Sequence, residues 1–196
     1  MKRYLFFLGK NRKLSVLELV SSKTKNNLKY NLIKITDYFA EIDVEEINAK
    51  KVINELGGIL KIAEYFDLNS LYVDKKRFVY GISLFYNDEE ILDKLKQFFK
   101  KEKVKAYLKK PRKSLIFSPK ETGKLDLELI IFKNKIAKVI VNSNPSVFKE
   151  RDENRPYFDK LKTTSLRLCK ILINLSQVKE NEILLDPFAG IGSILQ

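Results

Sequence analysis

The residues of this sequence that are best placed to bind a small molecule lie near its C-terminus, in the run Asp186-Pro187-Phe188-Ala189-Gly190-Ile191-Gly192. Apolar residues precede this run, so the pattern predicts a short buried strand over 182–185, a tight turn and then a helix. Gly190 and Gly192 let the backbone approach a ligand, and the helix N-terminus offers N–H groups to an anion such as a carboxylate. Asp186 can accept hydrogen bonds from an ammonium group. A strand, an acid, a glycine turn and a helix in this order are typical of the first β-α step of a doubly wound sheet.

Two other glycine motifs do not fit this run. A dinucleotide-binding loop has a third glycine at the position where Leu195 stands. A phosphate-binding loop has Gly-Lys-Ser or Gly-Lys-Thr, and neither occurs in the sequence. On spacing alone, an ordinary strand-to-helix turn with two glycines also accounts for the run.

The composition excludes several kinds of active site. The 196 residues include no histidine, which rules out Ser-His and Cys-His catalysis and histidine-ligated metals. The single cysteine, Cys169, can form neither an internal disulfide nor a thiolate zinc site. We therefore expect no metal and a reducing, cytoplasmic compartment. No segment has the roughly 18 consecutive apolar residues that a membrane span needs, so we expect no membrane partner.

The net charge of +13 is concentrated in one window, residues 94–113, which has ten basic residues and one acid, Glu102. The basic residues are Lys94, Lys96, Lys100, Lys101, Lys103, Lys105, Lys109, Lys110, Arg112 and Lys113. Such a local excess indicates a polyanionic partner, most often a nucleic acid. The alternative is that these lysines only solvate a helix face, because arginine, the better phosphate ligand, is scarce. Phe98 and Phe99 fit the apolar face of a predicted helix, whereas the pattern leaves the role of Tyr107 open.

The elements that would position these residues begin with the order β-α-β-β-α-β over residues 1–66, which is the order of a ferredoxin-like domain. The pattern predicts strands over 4–8, 31–35, 38–44 and 59–66, and helices over 15–22 and 45–56. Ser15 and Glu18 have the spacing of a capping box at the start of the first helix. Gly57-Gly58 is a typical signal for the end of the second.

Residues 67–143 predict a second small α/β unit. Its strands are expected over 78–85, 104–108, 125–132 and 136–142, with a hairpin at Lys133-Asn134-Lys135 and a helix from residue 87 to Lys101. Residues 144–162 are polar and contain Pro145 and Pro156, so we expect a linker. A helix is expected over 163–178.

The C-terminal run resembles the first motif of methyltransferases that use S-adenosylmethionine, in the form found in enzymes that methylate exocyclic amines of nucleobases. Three preceding stretches are similar in spacing to the tRNA guanosine-N2 methyltransferases of position ten, the archaeal and eukaryotic type: Arg155-Pro156-Tyr157-Phe158, Leu166-Arg167-Leu168 and Ile173-Asn174-Leu175. Residues 4–9 with Leu14, Ser15 and Glu18, and Leu56-Gly57-Gly58 with Lys61-Ile62, also look like that family.

The resemblance implies an α+β chain in four parts. These are an N-terminal ferredoxin-like domain (1–66), a THUMP-like RNA-binding domain (67–143), a linker (144–162) and an incomplete start of a Rossmann-like methyltransferase domain (163–196). It assigns S-adenosylmethionine binding to Asp186, Pro187, Phe188, Ala189, Gly190 and Gly192. The family's THUMP domain grips the acceptor end of tRNA, which assigns RNA binding to Lys100, Lys101, Lys103, Lys105, Lys109, Lys110, Arg112 and Lys113. Arg151 and Arg155 would touch RNA or position the domains.

The family's catalytic motif, an Asp or Asn followed by Pro-Pro and an aromatic residue, does not occur in the sequence. We therefore expect the tRNA-binding part of a tRNA (guanine-N2) methyltransferase, with no catalytic residue of its own and no activity alone. A missing catalytic half or an activator subunit would be its partner. The alternatives are a stand-alone THUMP RNA-binding module and part of a methyltransferase that acts on rRNA or DNA.

Overall fold

The structure is a computed structural model that describes residues 1–25, 30–83, 89–112, 114–133, 135–154, 164–187, 189–190 and 192–195. These ranges contain eight β-strands and six α-helices, and the strands pair in both parallel and antiparallel fashion. The chain is therefore a mixed α/β protein. It divides into two compact units, which we call the first unit (Met1–Ile62 with Ser143–Gln196) and the second unit (Ala63–Asn142).

The first unit begins with the predicted element order. The elements are β1 (Lys2–Leu8), α1 (Arg12–Lys25), β2 (Tyr30–Ile35), β3 (Phe39–Val44), α2 (Ala49–Glu55) and β4 (Ile59–Tyr65), whose last residues belong to the second unit. The strand order is β2-β3-β1-β4, and β3 is antiparallel to both β1 and β2. All residues from Tyr4 to Leu8 are buried, because β1 lies between two strands and is covered on both faces.

The start of α1 differs from the prediction. The helix begins at Arg12, and the side chain of Asn11 accepts a hydrogen bond from the Leu14 amide at 3.2 Å. Ser15 and Glu18 lie inside the helix and are buried, so the predicted capping box is wrong. Residues three positions apart also lie on one face of a helix, and the face with Ser15 and Glu18 points into the protein.

The second unit continues with β5 (Arg77–Ser83), α3 (Glu89–Lys101), β6 (Lys105–Lys109), α4 (Pro119–Thr122), β7 (Leu127–Phe132) and β8 (Lys135–Asn142). The strand order is β8-β7-β5-β6, in which β5 is parallel to β6 and β7, while β7 is antiparallel to β8. The predicted hairpin is confirmed by the pairing of Phe132 with Lys135, although Asn134 lies outside the described residues. Strand β6 is the last of this order and forms the edge of the sheet.

The core of the second unit forms where α3 packs on the sheet. Ile91, Leu95 and Phe99 of the helix are buried together with residues of β5 and β7. Phe98 packs at the margin of this cluster, with its ring centroid 5.5 Å from that of Phe99. The predicted core role of both phenylalanines is confirmed.

The C-terminal part of the first unit contains α5 (Pro145–Glu153) and α6 (Leu166–Leu175). Helix α5 was not predicted; its first turn is capped by the side chain of Asn144, which accepts from the Ser146 amide at 3.1 Å. The proline that suggested a linker occupies the start of the helix, where its missing N–H costs nothing.

The strand predicted over 182–185 is absent, although all four of these residues are described. Ile183 is 96% exposed and Leu185 82% exposed. An isolated apolar run has no neighbouring strand to pair with, so its backbone stays irregular. In place of the expected helix, Ser193–Leu195 form a single 3-10 turn. Within the described ranges, no helix is long and apolar enough to cross a membrane.

Candidate nucleic-acid interface

The basic window divides into paired and unpaired lysines. On the exposed side of α3, Lys94 Nζ lies 2.6 Å from Glu90 and Lys96 Nζ lies 2.9 Å from Asp93. These two lysines follow the alternative prediction, because their charges are neutralised along the helix surface. The other lysines of the window that the structure describes form no such ion pairs.

Six exposed lysines, which we call the edge lysines, form no ion pair with any residue that the structure describes. They are Lys100, Lys101, Lys103, Lys105, Lys109 and Lys110. Since none has a partner acid within the described part of the second unit, their positive potential is directed at solvent. Lys113 lies outside the described residues.

The turn between α3 and β6 brings the edge lysines to the margin of the sheet. Lys100 and Lys101 form the last turn of α3, where the negative end of the helix dipole favours cations. Lys103 has a φ of 54°, and its amide donates to the Lys100 carbonyl at 3.1 Å, which reverses the chain. Strand β6 then runs along β5 with Lys105 at one end and Lys109 at the other.

A buried polar cluster anchors the loop that follows β6. Glu128 of β7 accepts a hydrogen bond from the Ser83 hydroxyl at 2.6 Å and another from the Thr122 hydroxyl. The Ser83 oxygen in turn accepts from the Phe117 amide at 3.1 Å. This cluster fixes both ends of α4 and thereby the return path of the loop that carries Lys110 and Arg112.

Arg112 is the one arginine of the window, and it lies beside Glu121. The pKa of Glu121 is below its ordinary value, first because the Ser118 amide and hydroxyl donate to this carboxylate, then because the Arg112 backbone amide donates to it, and last because of the Arg112 charge. Glu121 and Ser118 form the capping box of α4. Arg112 thus lies near a carboxylate, whereas no acid that the structure describes forms an ion pair with an edge lysine.

Arg151 lies apart from the edge lysines in sequence and belongs to the first unit. It lines a cavity of about 380 Å³ together with Phe148, Lys170 and Asn174. The Lys170 ammonium lies 5.4 Å from the Phe148 ring centroid, and burial, followed by the nearby Arg151 charge, lowers the pKa of Lys170. Arg155 lies outside the described residues.

A buried carboxylate joins α1, the Gly57-Gly58 turn and α6 within the first unit. Glu18 accepts from the amides of Gly57 and Gly58, each at 2.8 Å, and from the Asn174 side chain at 2.7 Å. On the other side of the turn, Arg167 donates to the Gly57 carbonyl at 3.1 Å. Sequence reasoning missed this role, although an acid between apolar residues on a helix is the signal that could have indicated it.

The predicted cofactor segment has part of the expected geometry. Gly190 and Gly192 have positive φ angles of 52° and 73°, and the Gly192 amide donates to the Ala189 carbonyl at 2.7 Å. Asp186 and Pro187 line a cavity of about 90 Å³, whereas ligand pockets usually have roughly 300 Å³ or more. Phe188 lies outside the described residues. The described residues thus form the tight turn but do not by themselves fit S-adenosylmethionine.

The described ranges contain no cluster of three or more acidic or cysteine residues that could hold a metal ion. The chemistry that these side chains offer is electrostatic. The edge lysines can bind phosphate groups, and the glycine turn can accommodate a close ligand.

Comparison with known proteins finds no family model and no curated protein that matches the chain. Among solved structures, the chain is similar to a possible methylase from Clostridium difficile 630, with 16% identity, a TM-score of 0.45, and 99% of this chain and 54% of that chain covered. It is similar to PH1313 from Pyrococcus horikoshii Ot3, with 12% identity, a TM-score of 0.41, and 71% and 53% covered. It is also similar to a 4-thiouridine synthetase in complex with RNA and ATP, with 12% identity, a TM-score of 0.40, and 71% and 40% covered.

The chain therefore spans about half the length of the first two of these structures. At these identities and TM-scores, none of the three similarities assigns a function to the chain.

Proposed function

We propose that this chain binds RNA through the edge lysines, as the RNA-binding part of a tRNA-modifying enzyme. The observation that carries the proposal is the set of six exposed lysines around β6 that lack an ion-pair partner among the described residues. What distinguishes the edge lysines from single unpaired surface lysines is that all six lie within residues 100–110, whereas Lys94 and Lys96 are paired with acids on their own helix. An unneutralised group at the margin of a sheet is the arrangement expected for phosphate binding.

The finer part of the proposal is that the enzyme is a tRNA (guanine-N2) methyltransferase. It is supported by the resemblance of Asp186–Gly192 to the first motif of these enzymes and by the positive φ angles of Gly190 and Gly192. S-adenosylmethionine, when bound, supplies the methyl group. In this proposal Asp186 and the glycine turn bind its methionine end, and the remainder of its pocket comes from outside the described residues.

Charge reversal tests the RNA-binding proposal. The variant changes Lys100, Lys101, Lys109 and Lys110 to Glu, and each replacement removes two charge units, so the formal charge falls from +13 to +5. We expect tRNA binding to be lost. Each lost phosphate contact lowers the slope of log K against log salt by roughly 0.7 to 0.9, so four contacts account for about 3 units.

A matched control has the same net charge with the replacements elsewhere. Lys10, Lys13, Lys50 and Lys179 are exposed residues of the first unit, and their change to Glu also gives +5. We expect this control to keep most of its affinity and its salt slope. Equal losses in the two variants would show that only net charge matters and would overturn the proposed interface.

Two further measurements test the finer part of the proposal. Binding to tRNA with an intact acceptor end is compared with binding to the same tRNA without its 3′-terminal nucleotides and to an rRNA fragment; we expect a preference for the intact tRNA. Calorimetry with S-adenosylmethionine should show no measurable binding to this chain, since the cavity beside Asp186 is only about 90 Å³. Tight binding would contradict the conclusion that Asp186 and the glycine turn do not by themselves fit S-adenosylmethionine.

A further inference from the structure

Strand β6 presents an aromatic side chain between two basic ones. Successive strand residues point to opposite faces, so Lys105, Tyr107 and Lys109 share one face. Ala106 lies on the other face, where it packs against the core formed with α3. Tyr107 is 52% exposed, and its side chain forms no hydrogen bond with a residue that the structure describes. This face of the edge strand therefore has an accessible ring flanked by two ammonium groups.

The neighbouring strand extends the same basic face. In the parallel register, Arg77 of β5 lies beside Lys105 and Val79 lies beside Tyr107. Arg77 is exposed and forms no ion pair within the described part of the second unit. Half-buried Val79 is the apolar residue that lies beside Tyr107 in this register.

Asp126, an acid whose carboxylate contacts β5, is already paired with Lys75. Asp126 accepts from the Lys75 ammonium at 2.5 Å and from the Val79 amide at 2.8 Å. The Lys75 hydrogen bond is the main reason why the pKa of Asp126 lies below its ordinary value. Asp126 is therefore held ionised by Lys75 and does not neutralise Arg77 or Lys105.

We propose that Tyr107 stacks on an unpaired nucleobase while Arg77, Lys105 and Lys109 bind the adjoining phosphates. This inference rests on the proposed RNA-binding function and specifies that the edge strand β6 binds single-stranded RNA. Aromatic stacking needs a base whose face is free, which single-stranded RNA offers and a base-paired duplex does not. The Cα atoms of Lys105 and Lys109 are four residues apart, about 13 Å along the strand, which leaves room for nucleotides on both sides of the ring.

Protection of the sheet edge explains the lysines but not the tyrosine. Lysines on an edge strand discourage pairing with other chains. An exposed aromatic residue between them works against that purpose, because it adds β-propensity and apolar surface at the same edge. A base-stacking role accounts for both residue types together.

The test measures binding of a labelled single-stranded RNA of ten nucleotides and of a blunt-ended, fully paired RNA duplex to the full chain. Replacement of Tyr107 by Ala should weaken single-strand binding about tenfold, since stacking on an aromatic ring is worth about that much per base. The salt slope should not change, because no charge is removed. Tyr107→Phe should bind within twofold of the wild type, and duplex binding should be the same for the wild type, Tyr107→Ala and Tyr107→Phe.

Tyr72→Ala is the matched control, because Tyr72 belongs to the same unit and is 86% exposed but lies outside the basic window. It should not alter binding. A second measurement needs no variant: RNA that carries 5-bromouridine is irradiated with the wild-type chain, and mass spectrometry should find the crosslink at Tyr107.

The outcomes separate the two proposals. If Tyr107→Ala binds like Tyr72→Ala and no crosslink forms at Tyr107, the stacking inference is overturned. If the fourfold charge-reversal variant also binds RNA normally, the proposed function fails as well. Loss of binding in that variant together with normal binding by Tyr107→Ala would leave the RNA-binding surface intact and refute only the role of Tyr107.

Discussion

Glu18 provides the sharpest test of how the first unit is held together. Its side chain is fully buried and accepts three hydrogen bonds, from the amides of Gly57 and Gly58 and from Asn174 of α6. The perturbation is Glu18→Ala, which removes all three acceptor contacts at once. We expect it to loosen the glycine turn and the attachment of α6 together.

The magnitude follows from the groups that lose a partner. Two buried backbone N–H groups become unsatisfied, at about 1–3 kcal/mol each. Asn174 is less affected, because its amide nitrogen also donates to the Glu55 carbonyl at 2.8 Å. The expected loss in the free energy of unfolding is thus about 4 kcal/mol. Glu18→Gln keeps one acceptor oxygen but turns an NH₂ group towards the other amide, so we expect about half of that loss.

The assay uses the only cysteine of the chain as a local reporter. Cys169 lies in α6 and is 2% exposed, so a thiol reagent reacts with it only when this part of the first unit opens. Labelling is followed across a urea series for each variant. With a urea dependence of roughly 2 kcal/mol per molar, Glu18→Ala should shift the midpoint of Cys169 labelling down by about 2 M.

Glu180→Ala is the control, because Glu180 is exposed and also belongs to the first unit. A surface replacement of this kind changes stability by about 0.5 kcal/mol or less. If Glu18→Ala shifts the midpoint no more than Glu180→Ala does, the hydrogen bonds of Glu18 do not hold the unit together, and the reasoning is refuted.

Three further predictions follow from individual contacts. Gly58→Ala should lower the free energy of unfolding by about 1–3 kcal/mol, because its Cβ would lie 2.7 Å from Ser15 Oγ. The control Gly123→Ala should lower it little, because its Cβ would have no contact below 3.7 Å. Equal urea midpoints for the two variants would contradict this prediction. Asp43→Asn should lower stability at pH 7 by about 1 kcal/mol or less, since hydrogen bonds from Arg3 hold the pKa of Asp43 below its ordinary value. That difference should vanish as the pH falls through the carboxyl range, where the wild type loses the same contribution, and a constant difference from pH 7 to pH 3 would refute it. Glu128→Ala should accelerate hydrogen exchange at the Phe117 amide, because the Ser83 hydroxyl loses the acceptor that orients it; unchanged exchange would show that the cluster does not anchor the loop.

Much of the fold follows from local patterns in the sequence. The run from Tyr4 to Leu8 predicts a buried strand because apolar residues point to both faces, and the structure places it between two strands. The face of α3 follows from the helical spacing of Ile91, Leu95 and Phe99. In each case the pattern that predicts the element lies within the element itself.

The candidate interface could be predicted only in part. The concentration of lysines in one window is a property of the sequence, but whether those lysines are neutralised depends on which acids fold next to them. Lys94 and Lys96 have acids three or four residues away on the same helix. The edge lysines lie in the last turn of α3, in β6 and in the flanking turns, where the neighbouring acid Glu102 forms no ion pair with them. Tyr107 could be assigned to the exposed face only once the register with β5 was known.

Local spacing along the chain is enough to predict the order of the elements over residues 1–66, the core face of α3 and the position of the basic window, because each depends on residues a few positions apart. That Glu18 is a buried acceptor rather than a helix cap follows from the folded chain alone, since its partners are 39 to 156 residues away. The tertiary structure likewise decided that residues 182–185 form no strand, although the apolar pattern predicts one. A strand and a buried charge both depend on hydrogen-bonding partners from elsewhere in the chain, and local spacing contains no information about those partners.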